Sequence, residues 1–394
     1  MNKDRSAWGS VVALNMLLLC YALSISLLGQ MFSSIKTHYA ISLSQGGLIL
    51  SMQSIGGLLL SVLCILLIKL LNKTKLLVIC GFVLCGTMLL IGVLPPLSVL
   101  FMLFIILGFS GGAINALTNS AMADIVPQKS ERYINFMHML FSFGSVITPV
   151  LSQALFPSMG LTGVFLIFGG FALCWAVYSV YAFSGQMKTR LMTGVISLPL
   201  QFREMLKVLK SPGMITTFII SIMITAWQLS AIYYISSYFT GLTGNAMQGA
   251  LALSMLFLGM MVSRLLYARI ADRFPKGRVL LITNAIGVFA WAAVIFIPDN
   301  HVKYVFVALS ALACGNNFPI VFSAACRIAP ENTGAATAMV NLGYYVAIFT
   351  FIPIVGTLGD SLGLDKALLF CSLPLLLILP ASLLLHKKLN GQKD

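Results

Sequence analysis

Long apolar runs separated by short polar stretches dominate the pattern of the chain. Each run reaches about 20 residues, the length that an α-helix needs to cross the hydrocarbon core of a bilayer. Because backbone polar groups inside lipid must bond within their own segment, we predict that every run is a membrane-spanning helix. The predicted spans are residues 8–33, 44–70, 76–94, 97–126, 134–156, 161–183, 214–239, 247–270, 279–297, 304–328, 333–358 and 367–385.

A polar stretch in the middle of the chain divides the predicted spans into six and six. We predict an N-terminal six-helix bundle in residues 1–184, a cytoplasmic linker in 185–212 and a C-terminal six-helix bundle in 213–394. In the linker, four apolar side chains share one helical face: Phe202, Met205, Leu206 and Leu209. An amphipathic helix on the membrane surface and a plain charged linker are both compatible with this pattern.

A sequence repeat relates the two predicted bundles. Residues 45–56 read QGGLILSMQSIG and residues 248–259 read QGALALSMLFLG, with seven of twelve positions identical at an offset of 203. The same offset carries Gly160 onto Gly363. Two halves in the same orientation are typical of a parallel repeat about the membrane normal, which predicts a cavity between the halves near the midplane. We therefore expect an all-α integral membrane protein made of two pseudo-symmetric six-helix bundles.

Composition and charge support this class and exclude others. The 394 residues are 59% hydrophobic and 9% charged, which is too apolar for a soluble surface. The net charge of +14 reflects topology rather than nucleic-acid binding, because alternating spans leave only Lys36, Lys303 and Lys366 among the basic residues on the outer side. By the positive-inside rule, both termini are cytoplasmic in a multi-pass protein of the plasma (inner) membrane, with anionic membrane lipid as a partner.

The loop after the eighth predicted span carries a recognisable motif. Residues 268–278 read ARIADRFPKGR, which resembles the G-x-x-x-D-R-x-G-R-R loop of the major facilitator superfamily. Asp272, Arg273 and Arg278 keep the charged positions, and Ala268 and Pro275 replace the two glycines. The resemblance covers nearly the whole chain and implies the major facilitator fold with solute transport by alternating access.

A closer resemblance points to the fucose permease branch of sugar porters. It is carried by SLSQGGLILS in the second span, by Gly108–Ser120 and by Asn135–Gly144. That branch is known for membrane-embedded carboxylates that couple transport to protons. The matching positions in this sequence are Gly29 and Asn115, so the resemblance does not bring those proton-coupling groups with it.

Ionisable residues in the middle of a membrane are costly and usually functional, so they are the first candidates for a site. All acidic residues lie at span ends or in loops, and His138 in the fifth span is the one candidate for coupling. The repeat offset pairs His138 with Asn341. Both side chains are predicted to face the cavity; a His138 bonded to a neighbouring backbone or hydroxyl group is the structural alternative.

Amide and aromatic side chains concentrate on the spans expected to line the cavity. Amides can bind hydroxyl groups without burying a charge, and aromatic faces stack on sugar rings. Polar glue between helices is the alternative interpretation. The predicted solute-binding residues are Gln30, Asn115, Asn119, His138, Trp227, Gln228, Asn316, Asn317, Asn341 and Tyr344.

Charges at the inner helix ends suggest two latches between the bundles. We hypothesise that Asp272 pairs with Arg132 and that Lys69 pairs with Glu331 when the cytoplasmic side is closed. Asp272 would also meet the positive N-terminus of a neighbouring helix. Charges that only mark topology are the alternative.

These features favour a secondary active or facilitative transporter of a small, polar, mainly uncharged, sugar-like solute. No phosphate-binding GxxxxGK[ST] motif is present, and the four dispersed histidines predict neither a metal site nor an enzyme. We expect a monomer with no cofactor, no nucleic-acid partner, and a coupling proton or ion as an open alternative. A multidrug or metabolite efflux transporter and a non-transporting solute receptor are the alternative functions.

Overall fold

The computed structural model describes residues 2–126, 130–185, 198–211, 213–270 and 274–390. These residues form helices and short connections, with no β-strand among them. The helices are α1 (Asn2–His38), α2 (Leu43–Leu71), α3 (Lys73–Gly92), α4 (Leu97–Ile125), α5 (Ser130–Ala182), α6 (Leu198–Leu209), α7 (Met214–Thr243), α8 (Ala246–Ile270), α9 (Lys276–Phe296), α10 (Asn300–Cys314), α11 (Asn317–Ile328), α12 (Thr333–Leu362), α13 (Leu364–Phe370) and α14 (Ser372–Asn390).

Eleven helical segments of the described chain are long and apolar enough to cross a membrane. One of them, Arg132–Ala182, has 51 residues, about twice the length that a bilayer requires. Its backbone breaks at Gly160, where φ is 62° and ψ is −173°. Counting the two sides of Gly160 separately gives twelve spans, and the predicted all-α membrane fold is confirmed.

The helix boundaries reproduce the sequence repeat. α2, α3, α4 and α5 begin at Leu43, Lys73, Leu97 and Ser130, and α8, α9, α10 and α12 begin at Ala246, Lys276, Asn300 and Thr333. Each start in the second set lies 203 positions after its counterpart in the first. Gly160 and Gly363 also correspond, and both have positive φ, which glycine adopts at little steric cost.

Close helix packing is repeated as well. Gly56 of α2 lies against the carbonyl oxygen of Ile105 in α4, so that no Cβ would fit. The repeat places Gly259 of α8 against the carbonyl oxygen of Ala308 in α10. Small residues at these crossings let the two backbones approach, which is how helices associate without a hydrophobic driving force in lipid.

The chain divides into two compact units. Unit 1 comprises Met1–Tyr39 and Met52–Val195, and unit 2 comprises Ala40–Ser51 and Ile196–Asp394. The first turns of α2 therefore belong to unit 2, whereas the rest of α2 belongs to unit 1.

A carboxylate of α12 holds the start of α2 within unit 2. Asp360 accepts hydrogen bonds from the backbone N–H groups of Leu43 and Ser44, at 2.9 and 2.8 Å. These donors have no partner inside their own helix, and a negative charge suits the positive helix N-terminus. Nearby, the hydroxyl of Tyr234 donates to the carbonyl oxygen of Ile352 at 2.8 Å.

The helix α6 lies in the stretch for which the sequence left a helix and a plain linker open. It packs against α12 and α7 of unit 2. Val208 is its most buried described residue, whereas Leu206 is exposed. Met205 and Leu209 of the predicted apolar face are half-buried, so part of that face lies against the protein.

Candidate solute-binding site

Two predicted site residues meet directly in unit 1. His138 of α5 and Asn119 of α4 lie 3.0 Å apart between Nε2 and Oδ1. The Asn119 Nδ2 group already donates to the carbonyl oxygen of Asn115 at 2.7 Å, so its amide oxygen faces the imidazole. An amide oxygen only accepts hydrogen bonds, so the Nε2 atom of His138 must carry a proton in this arrangement.

Polar residues lie on two sides of α4: Asn115 and Asn119 are one turn apart on one side, and Ser120 and Asp124 are on another side, next to Lys73. Asn115, Ser120 and Asp124 are exposed, and Asn119 and His138 are half-buried. Lipid-facing helix surfaces are apolar, and polar side chains in membrane helices face a protein interior or a water-filled cavity. The side of α4 that carries Asn115 and Asn119 is therefore a candidate for a solute path rather than for a lipid contact.

Gln30, by contrast, is enclosed. Its Nε2 group donates to Oε1 of Gln153 at 3.0 Å, which joins α1 to α5. Both glutamines are buried, at 4% and 9% exposure. In the described conformation this amide pair connects two helices of unit 1.

Two predicted residues of α7 lie inside unit 2. Trp227 is fully buried and packs edge-on against Trp291, with the ring centroids 5.5 Å apart. Among the described residues, its indole N–H has no hydrogen-bond partner. Gln228 is half-buried, and its Nε2 group lies 3.8 Å from the sulfur of Met260, a weak acceptor.

Adjacent asparagines lie where α10 gives way to α11, and both bond to other helices of unit 2. The Nδ2 group of Asn316 donates to the backbone carbonyl of Ser263 and, at 2.7 Å, to its hydroxyl. Asn317 is fully buried and exchanges amide hydrogen bonds with Asn284, at 2.8 and 3.3 Å. These contacts favour polar glue as the role of the two side chains in this conformation.

The two predicted residues of α12 lie on a more open surface. Asn341 is exposed, and its side chain makes no hydrogen bond with the described residues. Tyr344 is half-buried, and its ring lies 5.6 Å from that of Phe318. Phe318 in turn lies 4.9 Å from Phe322. The two phenylalanines are absent from the predicted set, although the repeat aligns them with Asn115 and Asn119.

A buried lysine lies at the start of α3, where the sequence predicts only a cytoplasmic charge: this residue is Lys73. Lys73 is 6% exposed; its Nζ group donates to Ser120 at 2.6 Å and forms an ion pair with Asp124. Lys276 and Ser323 make the same contact in unit 2. The repeat is the sequence signal for this contact, because Lys276 and Ser323 lie 203 positions after Lys73 and Ser120.

The latch residues are only partly covered by the structure. Asp272 and the side chain of Lys69 lie outside the described residues. Arg132 and Glu331 are described, and both are exposed. The two latches stay a prediction.

A match to a protein-family model identifies the family to which the chain belongs. The sequence model of the Major Facilitator Superfamily matches residues 14–351, most of the chain. The protein belongs to this superfamily. It is therefore a membrane transporter that works by alternating access, and not an enzyme.

Solved transporters share the fold along nearly the whole chain. A bacterial homolog of the human lysosomal transporter Spinster, in an inward-facing and unoccupied conformation, has a TM-score of 0.78 and 12% identity, covering 98% of both chains. A mutant of the nucleoside transporter NupG has a TM-score of 0.82 and 12% identity, covering 95% of this chain and 99% of NupG. At this identity the likeness shows the fold alone.

A relative by sequence is the membrane protein MosC of Rhizobium meliloti. It is 24% identical over 146 residues, which are 37% of this chain and 36% of MosC. The chain thus aligns with about a third of that relative's length.

Proposed function

We propose that this transporter moves a small, polar, mainly uncharged, sugar-like solute. The observation that carries the proposal is the exposed polar face of unit 1, where Asn115, Asn119 and His138 lie together. Amide and imidazole groups bind hydroxyl and carbonyl groups of a solute as both donors and acceptors. The symmetry-related Asn341 is a candidate for a further contact.

The charge distribution supports an uncharged solute. A permanently charged solute loses its hydration on entering a membrane protein, and it needs an opposite charge to compensate for that loss. The one acidic group of α4, Asp124, is already paired with Lys73. The neighbouring amides carry no charge of their own.

His138 is the proposed coupling residue. An imidazole gains and loses a proton near neutral pH, and its bond to Asn119 couples this proton to a residue of the proposed site. Binding of solute to Asn119 would compete with that hydrogen bond. Proton and solute occupancy would then depend on each other, as proton-coupled transport requires.

Flux measurements in proteoliposomes test this proposal, with and without a pH gradient. We expect His138→Ala to abolish stimulation by the gradient while downhill flux persists. Asn115→Ala should raise the half-saturating solute concentration about fivefold, the effect of losing one hydrogen bond between uncharged groups. His301→Ala is the matched control, because His301 is exposed at the start of α10. Unchanged transport in both test variants would exclude the proposed site.

A second candidate is efflux of amphipathic compounds. The half-buried ring cluster of Phe318, Phe322 and Tyr344 favours it, since aromatic surfaces accept varied apolar groups. A panel of solute-uptake assays beside a drug-resistance panel separates uptake from efflux. Binding of a solute without flux would instead indicate a receptor.

Orientation and gating belong to the same proposal. We place both termini in the cytoplasm and the protein in the plasma (inner) membrane as a monomer, on the support of the basic residues at the inner loops. We also propose the latches Asp272–Arg132 and Lys69–Glu331 for the state closed to the inside. Cysteine crosslinking at each pair tests them, and failure to crosslink at both pairs in that state would remove the hypothesis.

A further inference from the structure

Three aromatic rings form a cluster on two adjacent helices of unit 2. Phe318 and Phe322 of α11 have ring centroids 4.9 Å apart with an interplanar angle of 62°. Tyr344 of α12 lies 5.6 Å from Phe318 at an angle of 67°. All three residues are only half-buried, so part of each remains accessible. We call these residues the aromatic cluster.

The repeat relates the aromatic cluster of unit 2 to the proposed solute-binding residues of unit 1. α4 begins at Leu97 and ends at Ile125, and its counterpart begins at Asn300 and ends at Ile328, each 203 positions later. Phe318 and Phe322 therefore occupy the positions that Asn115 and Asn119 occupy in unit 1.

The exposure of the two helices agrees at two of three repeat positions and is lower at Phe318 than at Asn115. Asn115 and Asp124 are exposed in α4, and Asn119 is half-buried. In α11, Arg327 is exposed, and Phe318 and Phe322 are half-buried.

A polar residue lies beside the aromatic cluster on α12, which argues against a lipid contact. The exposed Asn341 lies one turn before Tyr344 and at the repeat position of His138. A surface with an exposed Asn beside its aromatic rings suits a protein-enclosed or water-filled path better than hydrocarbon.

The chemistry of the rings limits what can bind them. Two phenyl rings offer flat π surfaces and no hydrogen-bonding group, whereas Asn341 and the Tyr344 hydroxyl supply polar groups close by. A saturated sugar ring can lay one apolar face on a phenyl ring, but among several phenyl rings its hydroxyl groups would lose water without finding a partner. A flat unsaturated ring makes stacking contacts without this loss.

We propose that Phe318, Phe322 and Tyr344 stack against a flat unsaturated ring of the transported solute. This inference rests on the proposed transport of an uncharged polar solute and narrows its class. The solute carries a planar heterocycle together with hydrogen-bonding groups, and an open-chain polyol is excluded. Phe318 and Phe322 act as specificity-determining residues, because they select the flat ring and bind no polar group.

The test uses the full-length transporter in proteoliposomes and four uncharged probes. Uridine and nicotinamide carry flat rings, glucose a saturated ring, and sorbitol no ring. Binding is measured by equilibrium dialysis and flux by uptake of the labelled probe, so that the two readouts are independent. We expect a flat-ring probe to bind and to be taken up in preference to glucose and sorbitol.

The variants Phe318→Leu and Phe322→Leu keep an apolar side chain of similar size and remove the ring. We expect each to weaken binding of the flat-ring probe about tenfold, the usual effect of losing one stacking contact. Phe318→Tyr and Phe322→Tyr should restore binding to within about twofold, because the ring is retained. Phe289→Leu is the matched control, since Phe289 is exposed on α9 and lies 6.3 Å from Phe306, away from the aromatic cluster.

The outcomes separate this inference from the proposed function. Flux of glucose or sorbitol with neither flat-ring probe bound would overturn the stacking role and leave the transport of polar solutes standing. Binding of a flat-ring probe that is lost in the Leu variants, without any flux, would support the stacking role and contradict transport. Failure of both flat-ring probes to bind, or unchanged binding in both Leu variants, would overturn the inference.

Discussion

A lysine–serine hydrogen bond occurs at equivalent positions inside each of the two units. In unit 1, Lys73 donates to Ser120; in unit 2, the repeat-related Lys276 donates to Ser323. Both lysines are buried, at 6% and 9% exposure. The first contact joins the start of α3 to the last turns of α4, and the second joins the start of α9 to the last turns of α11. The lysine–serine contact therefore connects helices in both halves.

What surrounds this shared contact differs. Asp124 forms an ion pair with the lysine of unit 1, and the matching position in unit 2 is Arg327. On another side of the same helix, Asn119 in unit 1 corresponds to Phe322 in unit 2. The scaffold contact is kept, whereas the exposed positions beside it change in charge and polarity. The halves thus keep the buried contact that joins their helices and diverge at less buried positions beside it.

Removal of Asp124 should have the largest effect on stability. Asp124→Ala leaves the buried Lys73 without its counterion, and breaking a fully buried pair costs about 3–5 kcal/mol. Because the Asp124 side chain is 41% exposed, water compensates in part, and we expect about 2 kcal/mol. The measurement is the apparent melting temperature in detergent.

Two further variants make this result specific. Arg327→Ala, the repeat-matched change in unit 2, should alter stability by less than about 0.5 kcal/mol because Arg327 is exposed. Adding Lys73→Met to Asp124→Ala should recover most of the lost stability, since no buried charge is then left. Equal losses for Asp124→Ala and Arg327→Ala would show that the units do not differ here.

The sequence predicts the fold well because lipid imposes simple rules. Span length and the pairing of backbone groups predict twelve membrane spans. The offset of 203, read from one twelve-residue match, also relates four helix starts in the first half to four in the second. Side-chain partners are harder to predict, because they join helices far apart in sequence. Asn317 and Gln30 look like free amides in the sequence, yet they bond to Asn284 and Gln153.

The candidate site shows the same limit. His138 and Asn119 are predicted separately, and only the structure brings them within 3.0 Å. Lys73 looks like any cytoplasmic charge, since a lysine at a helix start gives the same sequence signal whether it is solvated or buried. Phe318 and Phe322 resemble ordinary core or lipid-facing residues until their register with Asn119 is considered.

A smaller effect is expected from the buried amide pair of unit 2. Asn284 and Asn317 correspond to Gly81 and Ile114 in unit 1, where no amide pair exists at these positions. Asn317→Ile deprives the buried Asn284 of a hydrogen-bond partner, which should cost about 1.5 kcal/mol. The measurement is again the apparent melting temperature, with the half-saturating solute concentration determined in parallel.

The double variant Asn284→Gly and Asn317→Ile gives unit 2 the residues of unit 1. It should be about as stable as the single variant, because the gain from removing the unpaired amide oxygen is offset by the cost of about 1 kcal/mol of a glycine in a helix interior. If the amides only connect helices, the half-saturating solute concentration stays unchanged in both variants. A large rise in that concentration at unchanged stability would instead assign Asn317 to solute binding.

The smallest effect concerns the carboxylate that caps α2. Asp360→Ala removes the acceptor for the N–H groups of Leu43 and Ser44, and losing a helix cap costs about 1 kcal/mol. Hydrogen exchange should report it as about fivefold faster exchange in residues 40–51, and Asp360→Asn should retain part of the protection. Asp365→Ala is the control, because Asp365 is an exposed acid beyond the end of α12. Unchanged exchange in residues 40–51 of Asp360→Ala would show that packing of Gly47 against Tyr234 and Ile352 holds the start of α2 without its cap.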